Sequence, residues 1–204
     1  MKKVHIILSS RGISPNILTE MLSDKLNLTS ISINDLFREV IKSKTKFTNE
    51  VKLYLDKGEL IPNELTNKII KNRISTIKSD IQIIRYPRTK EQYLSLKESL
   101  NSNKFLIEQI WFLKLNDIQQ LINYKLENES DNPYTIKFGL NKDVFLKNYK
   151  DSINEFEELK KVINDESLIS VIDFDYPIEK HKSEIEKSII RYIANRAFSD
   201  KLKV

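Results

Sequence analysis

The chain has 204 residues, a formal charge of +5 from 34 Lys and Arg against 29 Asp and Glu, 3 glycines and no cysteine. That length suits one α/β domain with a sizeable core, and the lack of cysteine excludes disulfides, thiol catalysis and cysteine-bound zinc. No apolar run approaches the roughly 18–20 residues that a membrane-spanning helix needs. The basic residues alternate with acids, as in 180–187, a pattern of solvated helix faces and not of a DNA-binding patch.

Residues 4–8 read as a buried first strand. The stretch is too short for the hydrophobic region of a signal peptide and Arg11 follows it closely, so cytosol is the expected compartment. Ser14 and Pro15 suit a helix opening, and Leu18, Met21, Leu22 and Leu26 follow at helical spacing. Residues 29–33 form a short second strand. Asn34 and Asp35 can cap a helix carrying Leu36, Phe37, Val40 and Ile41. A further helix spans about 47–56 and stops near Gly58. Pro62 opens the next, with Leu65, Ile69, Ile70 and Ile74 on one face.

Residues 81–84 read as a central strand ended by Tyr86 and Pro87, and Thr89 caps a helix to about Leu100. Residues 104–115 hold a fourth strand with Trp111 and Phe112 in the core, and 117–126 are helical. The polar segment 127–140, with Asn132-Pro133 and Gly139, reads as a loop or small insert. A long charged helix covers about 142–164, with a packing stripe of Tyr149, Phe156 and Leu159. Residues 168–174 form a fifth strand and 177 to about 197 a closing helix. Alternating strands and helices predict a parallel sheet covered on both faces. His5 and His181 read as one core and one surface histidine, with no metal site expected.

The turn after the first strand carries the sharpest chemical signal. A strand, turn and helix in this order commonly hold G-x-x-x-x-G-K-[ST], whose amides and lysine grip phosphates and whose hydroxyl binds Mg²⁺. Here Gly12 is the one glycine, Pro15 stands at the lysine position, and Ile17 lies two places on. Proline has neither charge nor N–H, so this turn is expected to hold a triphosphate poorly. Arg11 beside Gly12 reads either as an anion ligand at the helix N-terminus or as a solvated loop arginine.

Three segments carry a family resemblance. Ile31-Ser32-Ile33-Asn34-Asp35-Leu36-Phe37-Arg38 resembles the I-S-T-G-D-L-L-R element of adenylate kinases. Residues 53–64, LYLDKGELIPNE, are similar to Y-M-D-x-G-E-L-V-P-D-E, and residues 83–92, IIRYPRTKEQ, to I-L-D-G-F-P-R-T-x-x-Q. Their shared order and spacing is specific, and the resemblance covers roughly residues 1–100. It implies a P-loop NTPase-like five-stranded parallel sheet flanked by helices, with a helical AMP-binding flap over about 34–75 and a reduced lid or insert over 127–141, all within one domain, 1–204. The family's reaction moves a phosphoryl group from ATP to AMP.

By the resemblance, Arg38 and Arg88 match the arginines that grip the AMP phosphate, Gln92 the glutamine that reads adenine, and Leu60 and Ile61 the wall of the base pocket. Paired guanidinium forks suit a phosphate dianion. Other matching positions have changed. The family's threonine near AMP is Ile33, the glycine of D-G-F-P-R is Arg85, and its magnesium-organising aspartate is Ile84. The arginine of the later R-L-x-x-Y element falls at Phe145. These changes predict a catalytically inactive protein that retains an AMP pocket, needs no cofactor, and acts as a binding or structural component of a protein or ribonucleoprotein complex. The alternative is an active, divergent nucleoside monophosphate kinase using Mg-ATP, with cations such as Arg11, Arg85 and Lys125 recruited to the site.

Overall fold

The computed structural model describes residues 1–57, 61–128 and 142–201. Five strands form one parallel sheet in the order β2-β3-β1-β4-β5, with β1 Lys2–Ser9, β2 Thr29–Ser32, β3 Ile81–Ile84, β4 Phe105–Leu115 and β5 Ile169–Phe174. Helices α1 Asn16–Leu26, α2 Ile33–Lys42, α3 Thr48–Asp56, α4 Asn63–Thr76, α5 Lys90–Ser102, α6 Ile118–Asn128, α7 Lys142–Ile163 and α8 Lys182–Lys201 connect or follow the strands. This is the fold class expected from the alternation of strand and helix signals.

Successive residues of a strand point to opposite faces of a sheet, and the two cores divide accordingly. Val4, Ile6 and Leu8 of β1 join Ile110 and Phe112 of β4 in the larger cluster, under α2 to α5. Ile7 joins Trp111, Leu113 and Leu115 in the smaller one, against α1, α6 and α8. His5 is buried on this second side, where its Nδ1 accepts a 3.2 Å hydrogen bond from the Trp111 indole.

Helix α7 belongs to both cores. Phe156, Leu159 and Ile163 lie in the larger cluster, whereas Phe145 and Tyr149 pack against the smaller. The Phe156 ring stacks on Phe112 at 3.8 Å between centroids, and the Tyr149 hydroxyl donates to the Leu115 carbonyl at the end of β4. The helix therefore crosses the carboxyl ends of the central strands.

Two helix starts differ from those predicted. Ser32, not Asn34 or Asp35, caps α2, its hydroxyl accepting from the Asp35 amide. Helix α1 begins at Asn16 after Pro15, with no side-chain cap from Ser14. Leu60 and all but the first two residues of the predicted 127–141 lid lie outside the described residues.

Candidate functional site

Strand β1 lies between β3 and β4; the connection after β1 runs to the β2 edge, and the connection after β3 crosses to β4 on the other side of β1. In open α/β sheets, ligands bind at the carboxyl ends of the strands at such a reversal. Leu8 and Ser9 of β1, Arg85 and Arg88 after β3, and Phe112 of β4 meet there, roofed by Ser152, Glu155 and Phe156 of α7. The cleft they leave has a volume of about 20 Å³, space for roughly one water molecule.

Three amides of the turn after β1 are bonded to protein acceptors. The Ser10 amide donates to Leu113 O, the Arg11 amide to Ser152 Oγ at 2.9 Å, and the Ile13 amide to Ser10 O. Pro15 has no amide to offer. Gly12 adopts φ +90°, and a β-carbon there would lie 2.6 Å from Phe145 Cζ. Glycine is required twice over, by backbone conformation and by the aromatic ring above it. The Ile13 side chain is buried and Ile17 packs against the smaller core, and neither lines the cleft.

Arg11 is half-buried, not a solvated loop residue. Its guanidinium pairs with Glu155 at 2.5 Å and reaches Asn148 Oδ1 at 3.5 Å. Arg85 sits at φ +63°, a left-handed conformation that costs an L-residue about 1–2 kcal/mol, and donates to Ile13 O at 3.3 Å. Burial lowers its pKa, and Asp35 on α2 opposes that. The Nε of Arg88 donates to Arg85 O at 3.3 Å. Burial first, then the neighbouring Arg11, lowers the Arg88 pKa, while Glu155 acts in the opposite direction. Arg85 and Arg88 therefore line the cleft beside Glu155, while Arg11 reaches the same carboxylate from the turn and acts electrostatically on Arg88.

The remaining predicted residues are distributed around this cleft. Gln92 is buried with both ends of its amide engaged, Oε1 accepting from the Arg88 amide at 2.8 Å and Nε2 donating to Asn63 Oδ1 at 2.7 Å. Arg38 is exposed on α2, paired with Asp35 at 2.6 Å, and does not line the cleft. Ile61 packs against the larger core. A second cavity, about 120 Å³ between α2 and α4, includes Leu36, Val40, Phe47 and Arg73 but none of the predicted site residues.

Sequence reasoning missed the contribution of α7. Residues 145, 148, 152, 155, 156 and 159 recur at steps of one, three or four, so they share one helix face. The packing stripe expected from sequence holds Tyr149, Phe156 and Leu159; Asn148, Ser152 and Glu155 interleave with it and supply polar contacts to the turn. Among the described residues, no group of three or more His, Asp or Glu is placed to hold a metal ion, and no helix is long and apolar enough to cross a membrane.

Residues 15–161 match the family model described as adenylate kinase. Over 97 residues the chain is 37% identical to the adenylate kinase of Bifidobacterium longum (strain NCC 2705), covering 47% of this chain and 52% of that protein. Over 89 residues it is 40% identical to the adenylate kinase of Lactobacillus helveticus (strain DPC 4571), covering 43% and 41%. Over 128 residues it is 32% identical to the adenylate kinase of Mycolicibacterium smegmatis (strain ATCC 700084 / mc(2)155), covering 62% and 71%. The chain spans about half the length of the first two relatives.

Proposed function

The chain belongs to the adenylate kinase family, and on that premise we propose that it is a non-catalytic member which binds AMP on its acceptor side and serves as a binding or structural component of a larger assembly. The observation that carries this reading is the filled turn after β1. Its Ser10, Arg11 and Ile13 amides are committed to protein acceptors, Pro15 replaces a lysine, and Phe145 stands on Gly12.

The residues present do not suit a magnesium-bound ATP tail. Ile17 stands where a metal-binding hydroxyl would be, and Ile84 where the family's aspartate organises the ion. Losing one preorganised charge-stabilising donor costs about 2.7–4 kcal/mol of transition-state stabilisation. Losses of groups that act together do not add simply, but several absent at once remove most of the acceleration. On the acceptor side, Arg88 and Gln92 hold their motif positions, which supports AMP as the ligand.

A coupled assay with ATP, AMP and Mg²⁺, run beside calorimetry with AMP alone, tests this reading. AMP binding without turnover is the expected result. Turnover in the ordinary kinase range of about 1–100 s⁻¹ overturns it. It would instead establish the second reading, an active divergent kinase, which the convergence of Arg11, Arg85 and Arg88 favours. For the assembly, a steep loss of RNA binding with salt would indicate a ribonucleoprotein, and salt-insensitive association a protein partner.

A further inference from the structure

We propose that Arg11, Arg85 and Arg88 form a site for a phosphate dianion, which the Glu155 carboxylate of α7 fills in the resting chain. The inference rests on the reading that the turn after β1 does not cradle the tail of ATP.

The guanidinium groups have more donors than their surroundings satisfy. Each has five N–H bonds. Glu155 and Asn148 accept from Arg11, Ile13 O accepts from Arg85, and Arg85 O accepts from Arg88. The last three contacts are 3.3–3.5 Å long, at the weak end of hydrogen bonding. Arg11 Nε and the Ser10 hydroxyl are buried without a hydrogen-bond partner. Like charges brought together out of water repel one another strongly, and burial together with Arg11 already lowers the Arg88 pKa. A ligand with several acceptor oxygens and two negative charges would meet both deficits, because guanidinium forks bind phosphate oxygens in pairs.

Glu155 offers one negative charge and two oxygens, so it is a partial substitute for that ligand. It reaches Arg11 directly and stabilises the charge of Arg88 at longer range. The remaining cleft of about 20 Å³ admits a water molecule but no phosphate. Entry of the anion therefore requires the Glu155 side chain to swing out, exchanging one acceptor for another on the same arginines. Arg11 and Arg85 are the distinguishing members of the site, for neither stands at an AMP-arginine position of the resembling motifs.

Calorimetric titration with orthophosphate tests the proposal on the full chain and on Glu155→Gln, with circular dichroism to check folding. Glu155→Gln is expected to bind orthophosphate at least tenfold more tightly than the parent, and a further Arg85→Ala to abolish that gain. Should Glu155→Gln fail to fold, Glu155→Asp, which keeps the charge but withdraws it by one methylene, is expected to show a smaller gain. Equal affinity in the parent and the folded Glu155 variant, or a gain that survives Arg85→Ala, overturns the site. Repeating the titration with AMP separates the sources of phosphate: a gain for both ligands assigns the site to a free or nucleotide phosphate alike, and a gain for orthophosphate alone to the free anion. Turnover of the parent chain with ATP and AMP would sink the non-catalytic reading yet leave the orthophosphate comparison intact. A flat titration would sink this site without producing turnover.

Discussion

The Phe145 ring covers Gly12 so closely that a β-carbon on the glycine would lie 2.6 Å from Cζ. A helix from the far half of the chain thereby seals the turn at which its family binds phosphate. Gly12→Ala must overcome both φ +90° and this clash. An unfavourable φ costs about 1–2 kcal/mol and overpacking about 1–3 kcal/mol, so a loss of about 2–5 kcal/mol is expected in urea unfolding. Combining it with Phe145→Ala removes the clash and leaves the backbone strain. The double-mutant cycle is therefore expected to show a coupling of at least about 1 kcal/mol; purely additive losses would mean that the ring does not press on the turn.

Repairing the turn in sequence alone is not expected to restore chemistry. Pro15→Lys with Ile17→Thr supplies the lysine and the hydroxyl, but Ser152 still takes the Arg11 amide and Phe145 still stands on Gly12. The coupled assay is expected to remain below the usual kinase range of about 1–100 s⁻¹ for both the parent and the repaired chain. Activity in the repaired chain alone would show that the contacts of α7 yield to a nucleotide and that the two side chains were the whole deficit.

The sheet was legible because each strand follows elementary rules. Val4, Ile6 and Leu8 alternate with His5 and Ile7 at period two, and the two sets enter different cores. Pro15 and Ile17 carry the expectation of a poor triphosphate turn for an equally local reason, the loss of an amide, a charge and a hydroxyl. What filled the turn was not legible. Glu155 meets Arg11 across 144 positions of sequence, and no local pattern reveals which loop a polar residue on a helix face will touch. The same limit explains Arg38, whose motif position suggested a phosphate ligand but whose described partner is Asp35 one turn earlier on the same helix.

That difference between the two motif arginines leads to unequal effects on AMP binding. Arg88 is largely buried at the cleft, and its backbone is tied to Gln92. Arg38 is exposed, and an exposed ion pair contributes little. Arg88→Ala is expected to weaken AMP binding at least tenfold in calorimetry, and Arg38→Ala by less than threefold. Gln92→Ala removes the acceptor for the Arg88 amide as well as the contact to Asn63, so it is expected to lower stability by about 1–3 kcal/mol along with AMP affinity. An equal loss for the two arginines would indicate that α2 closes over the ligand and carries Arg38 to the phosphate.

His5 gives the fold a defined acid response. Burial, reinforced by Arg196 and Lys3 and opposed by Asp80, lowers its pKa from 6.5 to about 4. Its Nδ1 must remain unprotonated to accept from the Trp111 indole. The unfolded chain takes up the proton near pH 6.5, whereas the folded chain resists until about pH 4. Stability from this residue is therefore complete above the unfolded pKa, is lost as pH falls through the window between the two values, and levels off below it. The shift corresponds to an upper bound of about 3 kcal/mol. His5→Gln retains an acceptor for the indole but no proton to gain, so the difference in unfolding free energy between parent and variant is expected to change across pH 4–6.5 and stay flat above it. A difference that is constant with pH would mean that His5 is as easily protonated in the folded protein as in the unfolded chain.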